Sequence, residues 1–174
     1  DQAGVSPRFT VRPARLDDVP AVVAMVHELA NFERAADQCH LTAEQLEAAL
    51  FSAAPTVFGH VAVDVHDQPL GFALWYLSFS TWEGVNGLYL EDLYVRPAAR
   101  GTGAGGALLA ALAAICAERG YPRLEWVMLS WNPAAQFYAK IGAQVTADWL
   151  PYRLSGPALQ RLAERAWSPS ALKG

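Results

Sequence analysis

The chain has 174 residues, of which 53% are hydrophobic and 17% charged, and its formal net charge is −4. This length and apolar content suit one compact domain with a sizeable core, and the composition excludes a disordered chain. Nucleic acid is not an expected partner, because phosphate binding needs clustered Lys and Arg and the sequence has no basic run.

The sequence also bears on the compartment and on metals. Cys39 and Cys116 are the only cysteines, too few for a disulfide framework or a zinc site. The four histidines show no metal-ligand spacing, so we expect no metal. No apolar stretch reaches membrane-spanning length, and residues 1–8 show no signal pattern. We therefore expect a cytoplasmic protein that does not bind a membrane.

Two helix signals stand in the first third of the chain. Residues 19–30 carry apolar side chains at helical spacing, and Asp17 or Asp18 is placed to cap that helix. Thr42 opens a second helix, and Gln45 stands three residues later, as a capping box requires.

Short apolar runs predict most of the remaining elements. The turn signal at 67–69 separates two such runs, which therefore read as an antiparallel hairpin. The predicted strands are 9–12, 56–65, 70–79, 87–95, 124–129 and 144–154, and further helices are predicted at 105–119, at 133–141 and from 156 on. This order predicts a mixed α/β or α+β sheet domain over residues 9–166, with flexible termini at 1–8 and 167–174.

The strongest functional signal is the run Arg100-Gly-Thr-Gly-Ala-Gly105 between a strand and a helix. The start of a helix offers backbone N–H groups without partners, and glycines let a ligand approach them closely. Such a turn binds phosphate or pyrophosphate, and Arg100 adds a permanent positive charge. A plain glycine-rich turn is the alternative. The glycine spacing fits neither the Rossmann fingerprint nor a P-loop.

Further pieces of sequence accompany this loop. They are Glu28-Leu-Ala-Asn-Phe-Glu33, Leu88-Tyr-Leu-Glu-Asp-Leu-Tyr-Val95, Leu124-Glu-Trp126, Trp131-Asn132, and Phe137-Tyr138 with Gly142-Ala143. Together with the loop, they resemble the GCN5-related N-acetyltransferase (GNAT) superfamily, and within it the spermidine/spermine (diamine) acetyltransferase branch. The resemblance runs from about residue 9 to residue 166.

The resemblance implies a fold, a co-substrate and an assembly. The fold is a GNAT-type mixed, splayed central β-sheet flanked by helices, with acetyl-CoA between the central parallel strands, and the assembly is a homodimer. The implied cofactor-binding residues are Leu93, Tyr94 and Val95 through their backbones, Arg100, Gly101, Thr102, Gly103, Ala104 and Gly105 at the pyrophosphate, and Asn132, Tyr138 and Lys140. The family has one more residue between its Trp-Asn and Phe-Tyr pairs, so Tyr138 is better supported than Asn132.

Amine acetylation needs a base and an acid. An amine with a pKa of about 10.4 is almost fully protonated at neutral pH and must lose a proton before it attacks. The resemblance gives the role of base to Glu91, whose apolar strand predicts burial and a raised pKa. An exposed carboxylate or a salt bridge is the alternative. Tyr138 is implied as the proton donor to the CoA thiolate, with core packing as the alternative.

For the amine substrate, the resemblance points to Glu28, Trp82 and Asp92. Strand alternation places Asp92 and Glu91 on opposite faces, so Asp92 reads as a binding or structural acid rather than a second base. The carboxylates near the end of the first helix and in the loop after it could hold a distal cation; they are Glu28, Glu33 and Asp37. For Glu33 and Asp37 a solvated helix face is favoured. Trp82 either covers a cation through its ring or caps a loop.

These residues predict an acetyl-CoA-dependent N-acetyltransferase. Its expected substrate is a primary amine on a small cationic molecule, such as a polyamine, a diamine or a thialysine-like compound. The alternatives are an N-acetyltransferase for another amine (an amino acid, an antibiotic or a protein N-terminus) and a non-catalytic acyl-CoA-binding sensor on the same fold.

Overall fold

A computed structural model describes residues 9–167. Its helices are α1 (Val19–Phe32), α2 (Ala43–Phe51), α3 (Ala104–Arg119), α4 (Ala135–Lys140) and α5 (Gly156–Glu164), and its strands are β1 (Thr10–Pro13), β2 (Phe58–Val63), β3 (Pro69–Ser80), β4 (Val85–Val95) and β5 (Leu124–Glu125). The chain divides after Ser130 into two compact units, and the single domain predicted over residues 9–166 stays a prediction. Of the expected flexible termini, residues 1–8 and 168–174 lie outside the described residues.

The first unit is built on a five-stranded sheet in the order β1-β2-β3-β4-β5. Strands β1 to β4 are antiparallel to their neighbours, and β5 joins β4 in parallel. The predicted hairpin is confirmed as β2 and β3, which pair from Phe58↔Trp75 to Val63↔Pro69. A mixed sheet flanked by helices confirms the predicted fold class.

Helices α1 and α2 cover one face of this sheet. Their apolar stripes meet the alternate side chains of β2, β3 and β4, because successive strand residues point to opposite faces. The buried cluster consists of Val19, Val22, Met25, Leu46, Leu50, Val61, Val63, Phe72, Leu74 and Tyr94. Each large apolar side chain buried in this way stabilises the fold by roughly 1.5–3 kcal/mol.

Helix α3 covers the other face. Trp75 follows Leu74 on β3 and therefore points away from the first cluster, and the guanidinium of Arg119 near the end of α3 lies 5.8 Å from the Trp75 ring centroid. Leu108 and Leu112 of α3 are fully buried. The sheet thus carries a packed helix layer on each side, which makes its strands rigid supports for side chains at their ends.

The helix starts confirm one capping prediction and correct another. Thr42 Oγ1 accepts a hydrogen bond from the Gln45 N–H (3.2 Å), and Gln45 Oε1 accepts one from the Thr42 N–H (3.1 Å), so the capping box is confirmed. Asp18 precedes α1 without capping it. Its carboxylate instead pairs with Arg12 (2.7 Å) and accepts from the Arg15 N–H (2.7 Å). Asp18 is buried, and a buried carboxylate needs such a charged partner more than a helix end needs a cap.

The second unit departs from the prediction. The described backbone forms no strand over 144–154, and Val145 and Tyr152 are 90% and 94% exposed. A strand exists only with a hydrogen-bonded neighbour, and an apolar run does not specify one. In the first unit, β5 likewise stops at Glu125 instead of residue 129. The predicted end of α4 is confirmed. Gly142 follows the helix with a φ of 90°, a conformation that glycine adopts without strain after the last turn of a helix.

Candidate active site

The pairing of β3 with β4 shifts by one residue at Glu91. Leu74 pairs with Asp92 and Trp75 with Leu90, so Glu91 is an extra residue on β4. Such β-bulges re-aim side chains and are common beside active sites. Glu91 is exposed. The expected burial of Glu91 is therefore wrong, because the bulge takes its side chain out of the alternation that an apolar strand would otherwise impose.

Asp92 follows the bulge and is partly buried. It pairs across the sheet with Leu74, whose side chain belongs to the core under α1 and α2. Burial, and then the negative charges of Glu91 and Glu33, raise the pKa of Asp92 to about 6. The raised pKa that sequence reasoning expected at this strand therefore belongs to Asp92. At neutral pH its carboxylate carries a charge that the fold disfavours and that a cation would stabilise.

Glu33 lies immediately after α1 and is a residue that sequence reasoning undervalued. It is partly buried, and burial raises the pKa of its carboxyl. Its charge acts on Asp92, so two carboxylates from α1 and β4 repel each other across a partly desolvated region. An amine cation placed beside both carboxylates would offset their mutual repulsion. The sequence placed Glu33 near the end of the first helix but did not indicate its effect on Asp92, because α1 and β4 meet only in the fold.

Glu28 connects α1 to β4 through two charged or polar partners. The Tyr94 hydroxyl donates to Glu28 Oε1 (3.2 Å), and Arg96 Nε donates to Glu28 Oε2 (3.3 Å). Arg96 also donates to the Pro69 carbonyl (3.3 Å). Burial and the charge of Glu28 raise the pKa of the Tyr94 phenol, which keeps it protonated as a donor. Glu28 thus has its charge paired inside the unit, and its role in substrate binding stays a prediction.

Trp82 stands apart from these carboxylates. It is 88% exposed and lies in the turn that joins β3 to β4. That turn begins after Ser80, the last residue of β3. Ser80 lies six residues beyond Leu74, the cross-strand partner of Asp92, which is a distance of about 20 Å at the usual rise of a strand. The structure therefore does not bring Trp82 to Asp92 within this chain, and its contact with substrate stays a prediction.

The second edge of β4 is free over its last residues. Strand β5 pairs with it only at Leu88 and Tyr89. Strand β4 continues to Val95, whereas β5 ends at Glu125. In the described residues, the N–H and C=O groups on that edge beyond Tyr89 have no strand partner, which suits an extended ligand that pairs as a strand does. The backbone of residues 93–95, predicted to bind the pantetheine arm, lies on this stretch.

The loop after β4 has the geometry that a diphosphate requires. Gly101 and Gly103 have φ values of 81° and 88°, a left-handed conformation that glycine adopts readily. Gly103 is also the N-cap of α3, so the first N–H groups of that helix point out of the loop without intrahelical partners. A Cβ added at either glycine would meet no heavy atom within 4 Å. The residues therefore fit the phosphates of a CoA molecule.

The second unit holds the remaining predicted residues. Asn132 Oδ1 accepts from the Ala134 N–H (2.9 Å) and so shapes the entry to α4. Tyr138 is partly buried, burial raises the pKa of its phenol, and its ring centroid lies 5.6 Å from that of Phe137. Lys140 is exposed at the end of α4. The cofactor contacts of Asn132 and Lys140 and the catalytic role of Tyr138 stay predictions.

Residues 9–167 contain neither a cluster suited to a metal ion nor a membrane-spanning helix. Within this range, no group of three or more His, Cys, Asp or Glu side chains is arranged to hold a metal ion. No helix among the same residues combines the length and the apolar character that crossing a membrane would need.

Comparison with known proteins identifies the family. Residues 23–143 match the family model described as "Acetyltransferase (GNAT) family". A thialysine N-epsilon-acetyltransferase of Bos taurus is 33% identical over 166 residues, which cover 88% of this chain and 96% of that protein. The spermidine/spermine N(1)-acetyltransferase-like protein 1 of Homo sapiens is 30% identical over 91% of this chain and 24% of its own length.

A solved structure supports the same assignment. An integron cassette protein from the mobile metagenome of V. cholerae has a TM-score of 0.76 and 30% identity, covering 91% of this chain and 99% of that one. The chain therefore belongs to the GNAT acetyltransferase family, in agreement with the resemblance seen in its motifs. It is an acyltransferase enzyme of the N-acetyltransferase type, and acetyl-CoA is the co-substrate of this family.

Proposed function

We propose that the chain transfers the acetyl group of acetyl-CoA to a primary amine on a small cationic molecule, namely a polyamine, a diamine or a thialysine-like amino acid. The observation that carries the proposal is the partly buried carboxylate pair Asp92 and Glu33, with Asp92 on the same stretch of β4 as the free edge. Thialysine and spermidine, in the names of two relatives, are amines of this class.

The carboxylates Asp92 and Glu33 are proposed to bind the cationic amine. Each loses part of its hydration to the fold, and the negative charge of Glu33 raises the proton affinity of Asp92 further. A substrate ammonium group offsets both effects, since an opposite charge nearby favours the ionised carboxylate. The resemblance adds Glu28 and Trp82 as substrate contacts. Glu28 lies on α1, which ends one residue before Glu33, and its ion pair with Arg96 supports a structural part in the site.

Glu91 is proposed as the base that takes the amine proton. Its exposure at the bulge keeps it in contact with water, so a proton can reach it through a water molecule and leave to solvent. Asp92 and Glu91 then have different tasks, although they are neighbours. Asp92 holds a positive charge in a partly desolvated place, and Glu91 removes a proton beside solvent.

Acetyl-CoA supplies an activated acetyl thioester, and residues of this chain are proposed to orient it. The backbone of 93–95 would pair with the pantetheine arm and the loop 100–105 with the diphosphate. When the amine nitrogen bonds to the acetyl carbon, the C–S bond breaks and the nitrogen gives its remaining excess proton to water, which leaves a neutral amide. The Tyr138 hydroxyl is proposed to give its proton to the sulfur and to regain one from solvent. By resemblance, Asn132 and Lys140 complete the contacts to the co-substrate.

An acceptor panel tests this function. Purified chain is incubated with acetyl-CoA and, separately, thialysine, lysine, spermidine, putrescine or an aminoglycoside, and CoA release is followed. We expect the highest kcat/KM with one of the polyamine, diamine or thialysine substrates. Turnover of the aminoglycoside alone would contradict the substrate class. A rise in melting temperature with CoA but no turnover of any amine would favour the acyl-CoA-binding sensor.

We further propose that the enzyme is a cytoplasmic homodimer. The proposal rests on the resemblance and on the exposed apolar side chains of the second unit, among them Trp149 (71%), Leu150 (75%) and Tyr152 (94%). Light scattering across micromolar concentrations should give twice the mass of the chain. A monomer mass at every concentration would rule out the dimer.

A further inference from the structure

The guanidinium of Arg100 lies against two aromatic rings. Its central carbon is 5.5 Å from the ring centroid of Phe32 and 5.9 Å from that of Tyr94. Its Nε also donates to the Val95 carbonyl at 3.3 Å. Arginine stacks well on aromatic faces, because its charge is attracted by the ring quadrupole. Three contacts therefore restrain an exposed, long side chain.

The two rings belong to different elements that are themselves fixed. Phe32 is the last residue of α1, and Tyr94 lies on β4. The Tyr94 ring is buried, and its hydroxyl donates to Glu28 of α1. Arg96 adds a second bond from the end of β4 to Glu28. The end of α1, the end of β4 and the first residue of the glycine loop are thereby joined in one set of contacts.

We propose that Phe32 is a positioning residue for the co-substrate: with Tyr94, its ring holds the Arg100 guanidinium at the entrance of the glycine loop, where it meets the diphosphate of CoA. The inference rests on the proposed function, because it assigns a residue to that same site. No part of the glycine motif itself indicates Phe32, which lies 68 positions earlier in the sequence.

The physical gain is pre-organisation. A free arginine side chain populates many rotamers, and holding it in one of them on binding costs affinity. A guanidinium that is already restrained loses less of this freedom when the diphosphate binds. The contribution of one exposed cation–π contact corresponds to about a two- to fivefold change in affinity. Phe32 is 38% exposed and is not a member of the buried cluster under α1 and α2.

The experiment compares Phe32→Leu with a matched control. Phe51 also ends a helix and is exposed to a similar degree, 41%, so Phe51→Leu reports the cost of losing an exposed ring elsewhere. We measure the Kd of CoA by calorimetry and kcat/KM with two donors, acetyl-CoA and S-acetylpantetheine, which lacks phosphates. We expect Phe32→Leu to raise the Kd of CoA about two- to fivefold, and Phe32→Tyr, which keeps a ring, to restore parental affinity.

Three readouts separate positioning from mere packing. With S-acetylpantetheine, Phe32→Leu and the parent should have the same kcat/KM, since no phosphate is present for Arg100 to meet. In an Arg100→Met background, Phe32→Leu should have no further effect on the Kd of CoA. If Phe32→Leu leaves the Kd of CoA unchanged, or weakens both donors equally, the inference is overturned while the proposed function stands. If the parent itself binds no CoA, both fall.

Discussion

Strand β4 has two halves with different surroundings. Before the bulge, residues 85–90 pair with β3 on one edge, and Leu88 and Tyr89 pair with β5 on the other. After the bulge, residues 92–95 pair with β3 alone. Leu88 and Leu90 are buried, whereas the second half carries an acid with a raised pKa and leads into the glycine loop.

The first half of β4 contributes to the stability of the fold, and the second half is the part proposed to bind ligands. The first half pairs with β3 along its length and with β5 at Leu88 and Tyr89, and it buries the side chains of Leu88 and Leu90 in the core. The second half leaves one edge unpaired and holds a carboxylate in a partly desolvated place. Both features cost stability, and in the proposed function both serve binding. The single extra residue at Glu91 marks the change, because a bulge is where regular pairing and alternation are interrupted.

The largest effect is expected at the bulge. Replacing Glu91 with Gln keeps the shape and removes the base, so kcat/KM for the preferred amine should fall by about 10²- to 10⁴-fold. The loss should shrink as the pH rises, since the amine then loses its proton unaided. A pH–rate profile with one amine measures this.

Glu47→Gln, an exposed glutamate on α2, serves as the control and should keep parental rates. Should the Glu91→Gln profile run parallel to that of the parent with little loss at any pH, the proposed base would have to be given up.

In the first half of β4, the effect is expected on stability instead. Leu88 is fully buried, and Leu88→Ala should lower the free energy of unfolding by about 2–5 kcal/mol. Urea denaturation, carried out without CoA and at increasing CoA concentrations, measures this loss of unfolding free energy. Its cross-strand partner Leu77 is 39% exposed, so Leu77→Ala should cost clearly less. Comparable losses for both variants would contradict the claim that this half is the structural one.

Asp92→Asn should separate binding from catalysis. The parent needs Asp92 ionised to hold the amine cation, so its kcat/KM should fall as the pH drops through about 6. In the Asn variant, KM for the amine should rise about tenfold at neutral pH, and this acidic limb should disappear while kcat changes less. Steady-state kinetics from pH 5 to 8 test this. Persistence of the acidic limb in the variant would assign it to another group.

The same substitution should stabilise the fold at neutral pH. Because the pKa of Asp92 is raised from 3.8 to about 6 in the folded chain, the native state binds more protons than the unfolded one between these values. Its stability therefore falls as the pH rises through this window, by up to about 3 kcal/mol. Asp92→Asn removes that loss, so urea denaturation at pH 7.5 should show a more stable protein. An unchanged or lower stability would speak against a strained carboxylate.

The smallest effect is expected on the face of the sheet under α3. Trp75 Nε1 donates to His60 Nδ1 (3.1 Å), which requires the neutral imidazole, and burial lowers the pKa of His60. The unfolded chain therefore binds a proton more readily below about pH 6.5. Stability from this pair is complete above that pH and is lost as the pH falls below it. Unfolding free energies of the parent and of His60→Gln from pH 8 to 5 should differ in slope, and parallel slopes would contradict a role for this pair.

Local signals in the sequence predicted most elements of the first unit. Thr42 and Gln45 form a capping box from neighbouring residues, and the glycines before α3 adopt positive φ because of their own chemistry. These features depend on short stretches of chain. The strand predicted at 144–154 is absent. A strand needs a hydrogen-bonded partner, and no local sequence pattern specifies one.

The candidate site shows the same limit. Its position after β4 was predictable from the glycine loop and from the resemblance. The assignment of the raised pKa was not, because it depends on a one-residue shift between Leu74 and Trp75 and on the approach of Glu33. The stacking of Phe32 on Arg100 likewise joins residues far apart in sequence. Contacts of this kind arise only when α1 packs on the sheet.

Amide hydrogen exchange tests the division of β4 most directly. Exchange is followed by mass spectrometry with and without saturating CoA, using peptides that separate residues 85–90 from residues 93–105. We expect CoA to slow exchange in the second stretch, at the free edge and the glycine loop, and to leave the already paired first stretch unchanged. Protection confined to residues 85–90, or none in either stretch at saturating CoA, would contradict it.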